Sequence, residues 1–209
     1  DPVVIQVAKE FLDTAPYFED KRVTIVHMDA ATFLADPENS NYDVIIADGS
    51  DAVGPAESLF SPEFYEYAHD SLSETGILCA HAECYWIHLE LIADLVACCR
   101  QVFSTLEYAT TSVPTYPCSQ IGFLLCRKSS KESCRTNIVR QPLQPHKLEW
   151  YSKRMHQAAF VLPPFVEREL NLSVNDDDDD DENDKDQCCF WPLPRIVSKN
   201  HSRAACAIQ

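Results

Sequence analysis

The chain has 209 residues, 45% of them apolar, with 33 acidic against 17 basic side chains and a formal net charge of −16. That length holds one domain of ordinary size plus a tail, with enough apolar residues for a core. The acidic balance argues against a nucleic-acid binder, because phosphate contacts need a basic stripe and none is present, and no apolar run is long enough to predict a membrane span.

Half of the charge is local. Residues 176–186 hold nine acids (Asp176 to Asp181, Glu182, Asp184, Asp186) against Lys185, a net of −8, so the remainder is only moderately acidic. The ten cysteines show no metal or disulfide spacing. Cys79, Cys84, Cys98, Cys99 and Cys126 fall in apolar segments, where a thiol behaves as a small hydrophobe, so the expectation is buried, reduced cysteines in a cytoplasmic protein and no metal site.

In chain order, Val3, Val4, Val7, Ala8, Phe11 and Leu12 repeat at helical spacing behind Asp1-Pro2, an N-cap with proline at the first helical position. Residues 22–28 are β-branched and apolar and predict a strand ending at Asp29, followed by a helical turn over residues 30–34. Tyr42 and Val44 to Ala47 predict a buried parallel strand, and it stops at two carboxylates three residues apart, Asp48 and Asp51. In an open α/β sheet the ligand crevice lies outside the carboxyl ends of the strands, so these carboxylates, and Asp29 with them, stand where a substrate would sit. An acidic, solvated turn is the alternative. Two of the chain's four glycines, Gly49 and Gly54, lie in this loop with Pro55, as expected for backbone that bends sharply or approaches a ligand.

Ser61-Pro62-Glu63 reads as cap, proline and acid at the start of a helix with Phe64, Ala68 and Leu72 on one face, closed near Gly76. Residues 77–80 form the next predicted strand, ending at His81, and residues 86–102 a long amphipathic helix. Residues 103–113 and 121–126 predict two strands with no helix between them, an antiparallel pair at one sheet edge. The order is that of an α/β, doubly wound domain without its first strand. Residues 128–146 read as a surface connection, Pro164 opens a short helix with Phe165, Val166 and Leu170, and the fold is expected to end by residue 173. Residues 174–209 form an acidic tail with too little to bury and are expected to be disordered.

Several stretches together resemble the spermidine synthase family. Asp48-Gly49-Ser50-Asp51-Ala52-Val53-Gly54-Pro55-Ala56 is similar to its acidic signature, and it is joined in order by Ala82-Glu83-Cys84-Tyr85-Trp86-Ile87-His88, by Pro114-Thr115-Tyr116-Pro117 with Ile121-Gly122-Phe123, and by residues 156–163. The resemblance covers residues 1 to about 170. It implies a Rossmann-like, methyltransferase-type domain that moves the aminopropyl group of decarboxylated S-adenosylmethionine, a co-substrate rather than a cofactor, onto putrescine. Spermidine and methylthioadenosine would be the products.

Carried over by motif, Asp48 matches the catalytic acid, which also touches the diamine. Asp51 and Tyr116 match residues that hold the diamine, Asp29 with Ala30 the pair at the adenine edge, and Pro55 a nucleoside contact. His81 stands where relatives usually have a glutamine that assists amine binding, and a protonated imidazole there would repel a diammonium. Gly49 and Ala52 also depart from the usual serine and proline. The family's N-terminal β-domain, its glycine-rich nucleoside loop and the glutamate of the next strand would all precede Asp1, so the chain reads as the C-terminal catalytic part, with a homodimer implied for the whole. Two alternatives stay open: a putrescine N-methyltransferase on the same scaffold, and a non-catalytic protein whose acidic tail and Trp191 segment bind a partner.

Overall fold

The computed structural model describes residues 2–49, 58–129, 131–136, 138, 142 and 144–172. Asp51 and Pro55, the Asp1 cap, and the expected tail therefore lie outside the described residues.

The described elements are α1 (Pro2–Phe11), α2 (Ala30–Leu34), β1 (Tyr42–Ala47), α3 (Pro62–Ser71), β2 (Leu72–His81), α4 (Tyr85–Cys99), β3 (Thr105–Ser112), β4 (Gln120–Arg127), α5 (Lys153–Ala158) and α6 (Pro164–Glu169). The strands form one sheet in the order β1-β2-β4-β3. β1 pairs with β2 in parallel, as a crossover through α3 requires, and β4 runs antiparallel to both β2 and β3. The antiparallel pair expected from residues 103–126 is present, with β3 at the edge. The whole is a mixed α/β, Rossmann-like domain.

Local chemistry explains the element starts. Ser61 Oγ accepts the Phe64 N–H at 3.2 Å with Pro62 at the first helical position, and Asp29 caps α2 in the same way through Thr32 N–H at 2.8 Å. The core lies on one face of the sheet, where Leu78 and Ala80 of β2 and Leu124 and Cys126 of β4 meet Phe64, Tyr65 and Ala68 of α3, Ile92, Leu95, Val96 and Cys99 of α4, and Val166 of α6. On the other face Ala109 packs with Cys134 and Phe160. Glu107 anchors the connection that carries Cys134, accepting from Ser133 Oγ at 2.6 Å and from the Cys134 N–H.

Three expectations need correction. Residues 22–28 are irregular rather than a strand. A strand exists through its ladder, and among the described residues nothing pairs with this segment, so Ile25, Val26 and Met28 stay 42%, 50% and 51% exposed despite their β propensity. Gly76 does not close a helix: α3 ends at Ser71 and Gly76 sits inside β2, where a Cβ would come within 2.9 Å of the Tyr42 carbonyl. α4 ends at Cys99 rather than residue 102, and its first turn is broken at His88 (φ −123°, ψ 31°).

No residue from 2 to 49 is fully buried. α1 buries nothing, leaving Val3, Val4 and Phe11 more than half exposed, and Val44 and Ile46 of β1 are 56% and 71% exposed. Apolar patterning has thus shaped this quarter of the chain without giving it a core of its own.

Candidate functional site

The carboxyl ends of β1 and β2 lie side by side. Their ladder runs to Ala47↔Ala80, so the next residues, Asp48 and His81, are neighbours across two parallel strands. β4 is antiparallel to β2, and His81 pairs with Phe123; the loop before Gln120, which carries Tyr116, therefore emerges at the same end of the sheet. Four of the residues singled out from sequence, Asp29, Asp48, His81 and Tyr116, follow or bound strands and loops at this end. Asp29 is tied to it by Ser58, whose hydroxyl donates to Asp29 Oδ2 at 3.3 Å.

A cleft of about 790 Å³ brings Ala30 and Asp48 into one lining, between residues 22–28 on one side and β1 on the other. Its walls include Met28, Ile46 and Leu59. A small neighbouring cavity shares Ala47 and Leu59 with that cleft and is closed by Gly49, Tyr65 and His81. Tyr116 lines neither; it is 45% exposed in a loop closed on itself by Tyr116 N–H to Val113 O (3.0 Å) and Ser119 N–H to Tyr116 O (2.9 Å).

Asp48 is exposed, free of helix or strand, and carries a negative charge felt by the Cys79 thiol, which burial first and Asp48 second push upward. Asp29 is already engaged. Its Oδ1 accepts from Thr32 N–H and, at 3.0 Å, from Thr32 Oγ1, and these bonds hold its carboxyl below the usual range. The side chain matched to an adenine contact is thus also the cap of α2. His81 Nδ1 is buried without a hydrogen-bond partner among the described residues, an open position for a polar ligand atom at the strand end.

Glu83 was not singled out as a site residue. It sits at φ 53°, its carbonyl accepts the Tyr108 hydroxyl at 2.9 Å, and its Oε2 stands 3.5 Å from His88 Nδ1, at ion-pair distance but outside hydrogen-bond geometry. The sequence signal was present in the Ala82-to-His88 motif, but a positive φ at a glutamate has no residue-type signature. Among the described residues no group of three or more His, Cys, Asp or Glu is placed to hold a metal ion, and no helix is long and apolar enough to cross a membrane.

An open α/β sheet with acidic and polar side chains gathered at its strand ends defines the class: a Rossmann-like domain with a small-molecule crevice. Residues 1–137 match the Spermine/spermidine synthase domain, and the chain belongs to that family of transferases. It is 42% identical over 182 residues to a spermine synthase of Arabidopsis thaliana (81% of this chain, 50% of that protein), and 39% identical over 180 residues to spermidine synthase 1 of Pisum sativum (81% and 53%). It is also 39% identical over 177 residues to putrescine N-methyltransferase 3 of Nicotiana tabacum (79% and 46%). Among solved structures, spermidine synthase in complex with the transition-state analogue AdoDATO superposes with a TM-score of 0.71 at 27% identity, covering 83% of this chain and 59% of that one; the Thermotoga maritima spermidine synthase gives 0.69 at 27% (83% and 58%). The chain spans about half the length of the curated relatives it matches.

Proposed function

We propose that this chain is the acceptor-side catalytic part of a spermidine synthase-type aminopropyltransferase, taking putrescine and decarboxylated S-adenosylmethionine. The observation that carries the reading is the adjacency of Asp48 and His81 at the ends of two parallel strands, with Ala30 and Asp48 in one cleft. No separate cofactor is required, since the co-substrate brings its own leaving group. The whole protein is proposed to be a cytoplasmic homodimer.

The nucleophile must be a neutral amine, and an alkylammonium with a lysine-like pKa near 10.4 is about 10³-fold protonated at pH 7, roughly 4–5 kcal/mol uphill. A nearby carboxylate favours the ammonium, so Asp48 serves the reaction by positioning the amine and accepting its proton late, as the carbon–nitrogen bond forms and the carbon–sulfur bond breaks. Asp51 binds the diamine as a charge partner, and Tyr116 orients the attacking nitrogen. The unpaired Nδ1 of His81 supplies one further contact to the amine, provided the imidazole is neutral. Asp29, Ala30 and Pro55 hold the nucleoside.

The test uses the full-length protein. Asp48→Asn keeps shape and removes the proton acceptor, so kcat should fall about 10²-fold or more, while Asp51→Asn should chiefly raise KM for the amine. Unimpaired turnover by Asp48→Asn would remove it from the mechanism. The 209-residue chain alone should turn over poorly, because the cleft beside Asp48 runs along an edge of β1 that no strand among the described residues covers. A second reading, putrescine N-methyltransferase, is favoured by the tobacco relative. Product analysis with each sulfonium donor separates them: aminopropyl transfer supports the first reading and methyl transfer replaces it.

A further inference from the structure

The outer edge of β3 borders a cavity of about 680 Å³ that shares no lining residue with the strand-end crevice. In the order β1-β2-β4-β3 this edge lies three strands from β1, about 14 Å at ordinary strand spacing. Its lining comes from both faces of the sheet. Arg100, at the end of α4, belongs to the face that holds the main core, and Arg135 follows Cys134, which packs with Ala109 and Phe160 on the opposite face. Leu106, Phe160 and Leu162 supply apolar wall. A cavity of this size with a few placed polar groups is of the kind that takes a small molecule.

The polar chemistry of this cavity is one-sided. Glu107 is the only carboxylate in its lining, and both of its oxygens are engaged, Oε1 by Ser133 Oγ at 2.6 Å and Oε2 by the Cys134 N–H. Arg100 gives Nη2 to the Leu170 and Asn171 carbonyls, and its Nε and Nη1 have no partner among the described residues. The half-buried Arg135 guanidinium pairs with no carboxylate or carbonyl among the described residues. A guanidinium only donates and stays charged at any ordinary pH. In a chain of net charge −16, two arginines thus line one cavity without an available anion. Lys153 and Arg154, four and three residues before the lining residue Gln157, share its face of α5 and add positive charge at the rim.

We propose that this cavity binds a small aliphatic dicarboxylate, one carboxylate on Arg135 and the other on the free nitrogens of Arg100. The guanidinium fork matches a carboxylate through two parallel N–H bonds, which a lysine cannot reproduce. Two forks entering from opposite faces of the sheet call for two anionic groups held apart, and the leucines of the wall favour a methylene spacer over a compact, fully hydrated anion. Arg100 also holds the carbonyls that follow α6, so the bound ligand ties that end of the chain to the connection carrying Arg135 and stabilises the fold by mass action. The site does not rest on the reaction assigned to Asp48, whose crevice presents a carboxylate and repels the same ligand.

The experiment is isothermal titration calorimetry on the full 209-residue chain at low ionic strength, with glutarate and adipate as probes in separate arms. At least one of them should fill a single saturable site per chain, bind tenfold or more tighter than its own monomethyl ester, and raise Tm at saturation. Arg135→Gln should weaken that binding tenfold or more while the ligand-free protein melts as the wild type does, since the side chain it removes holds nothing in the fold. Arg135→Lys should recover only part of the loss, because it restores the charge without the fork. Asp48→Asn should bind the dicarboxylate with wild-type affinity, which separates this cavity from the crevice. Absence of saturable binding by both probes, or wild-type affinity in Arg135→Gln, would overturn the site. Inorganic phosphate binding as tightly as the better dicarboxylate would overturn the ligand class. None of these readouts needs turnover, so they stand apart from the activity assay.

Discussion

Tyr108 donates its hydroxyl to the carbonyl oxygen of Glu83 across 2.9 Å, and Gly122 lies directly beneath that contact. Tyr108 is 1% exposed, and a Cβ at Gly122 would overlap Tyr108 Oη and Cζ and stand 2.5 Å from the Glu83 carbonyl. The pair holds the end of β2 at the turn where Glu83 takes φ 53°. Tyr108→Phe leaves a carbonyl without its donor and should cost about 1–3 kcal/mol. For a domain of this size that is a fall in Tm of roughly 2–12 °C by circular dichroism. Gly122→Ala should cost more, since the neighbouring atoms are ring and backbone and the ring is buried. Wild-type melting by both variants would show that the contact does not support the turn.

The open edge of β1 carries a second expectation. Val44 and Ile46 are 56% and 71% exposed on a strand that, among the described residues, has no partner on its outer side, beside the also exposed Ile25, Val26 and Met28. Exposed apolar edge strands template association. The 209-residue chain should self-associate at micromolar concentration and enhance the fluorescence of a hydrophobic dye. Ile46→Lys, on the exposed face, should lower both without lowering the melting temperature. Sedimentation velocity on the two proteins decides; a monodisperse wild-type monomer would count against an adhesive edge.

Much of this architecture was legible in the sequence because its signals are local. Ser61-Pro62-Glu63 announced α3, the apolar run ending at Asp48 announced β1 as a parallel strand but wrongly as a buried one, since Val44 and Ile46 are exposed, and two strand patterns with only a proline-containing loop between them announced the antiparallel pair β3 and β4. Two of the failures have one cause. Residues 22–28 have the composition of a strand, but a ladder is made by a partner, which no local pattern supplies. Gly76 read as a helix stop for the same reason: what demands glycine is the Tyr42 carbonyl on another strand. At the site, family motifs carried Asp29, Asp48, His81 and Tyr116 to one end of the sheet. The double duty of Asp29 as the α2 cap, and the Glu83–Tyr108 contact, depend on tertiary geometry that motifs do not encode.

The end of the described chain is held by a single cation. Arg100, the C-cap of α4, donates through Nη2 to the carbonyls of Leu170 at 2.6 Å and Asn171 at 2.9 Å, and Leu170 is 1% exposed against the core. Charge-assisted bonds to helix-end carbonyls contribute about 1.5–3 kcal/mol. Truncation after residue 173 keeps this clasp, so Tm should change by no more than a few degrees. Truncation after Glu169 removes both acceptors and a buried leucine and should lower Tm several-fold more. Equal melting of the two truncated proteins would mean that the clasp contributes nothing.

Alkaline pH should unfold this domain through its thiols. Cys134 is pushed up to about 11, mainly by burial, and burial also raises Cys79, Cys84 and Cys98, while contact with Cys99 raises Cys126 first and burial second. Burial likewise raises Tyr65 and Tyr108. A folded pKa above the unfolded one means that the folded state binds more protons over the interval between them, so stability is fully present below the unfolded value and is lost as pH rises through the folded one. For Cys134 the interval runs from 9.0 to about 11. Two pKa units correspond to about 2.7 kcal/mol, a net figure in which Arg127 Nε, 3.3 Å from the sulfur, has already offset part of the burial. Urea midpoints measured under reducing conditions should therefore hold steady up to about pH 8.5 and fall steeply by pH 11. Cys134→Ala should flatten part of that fall while costing some stability at neutral pH through lost packing. A midpoint independent of pH across this range would mean that the buried thiols titrate as they do in the unfolded chain.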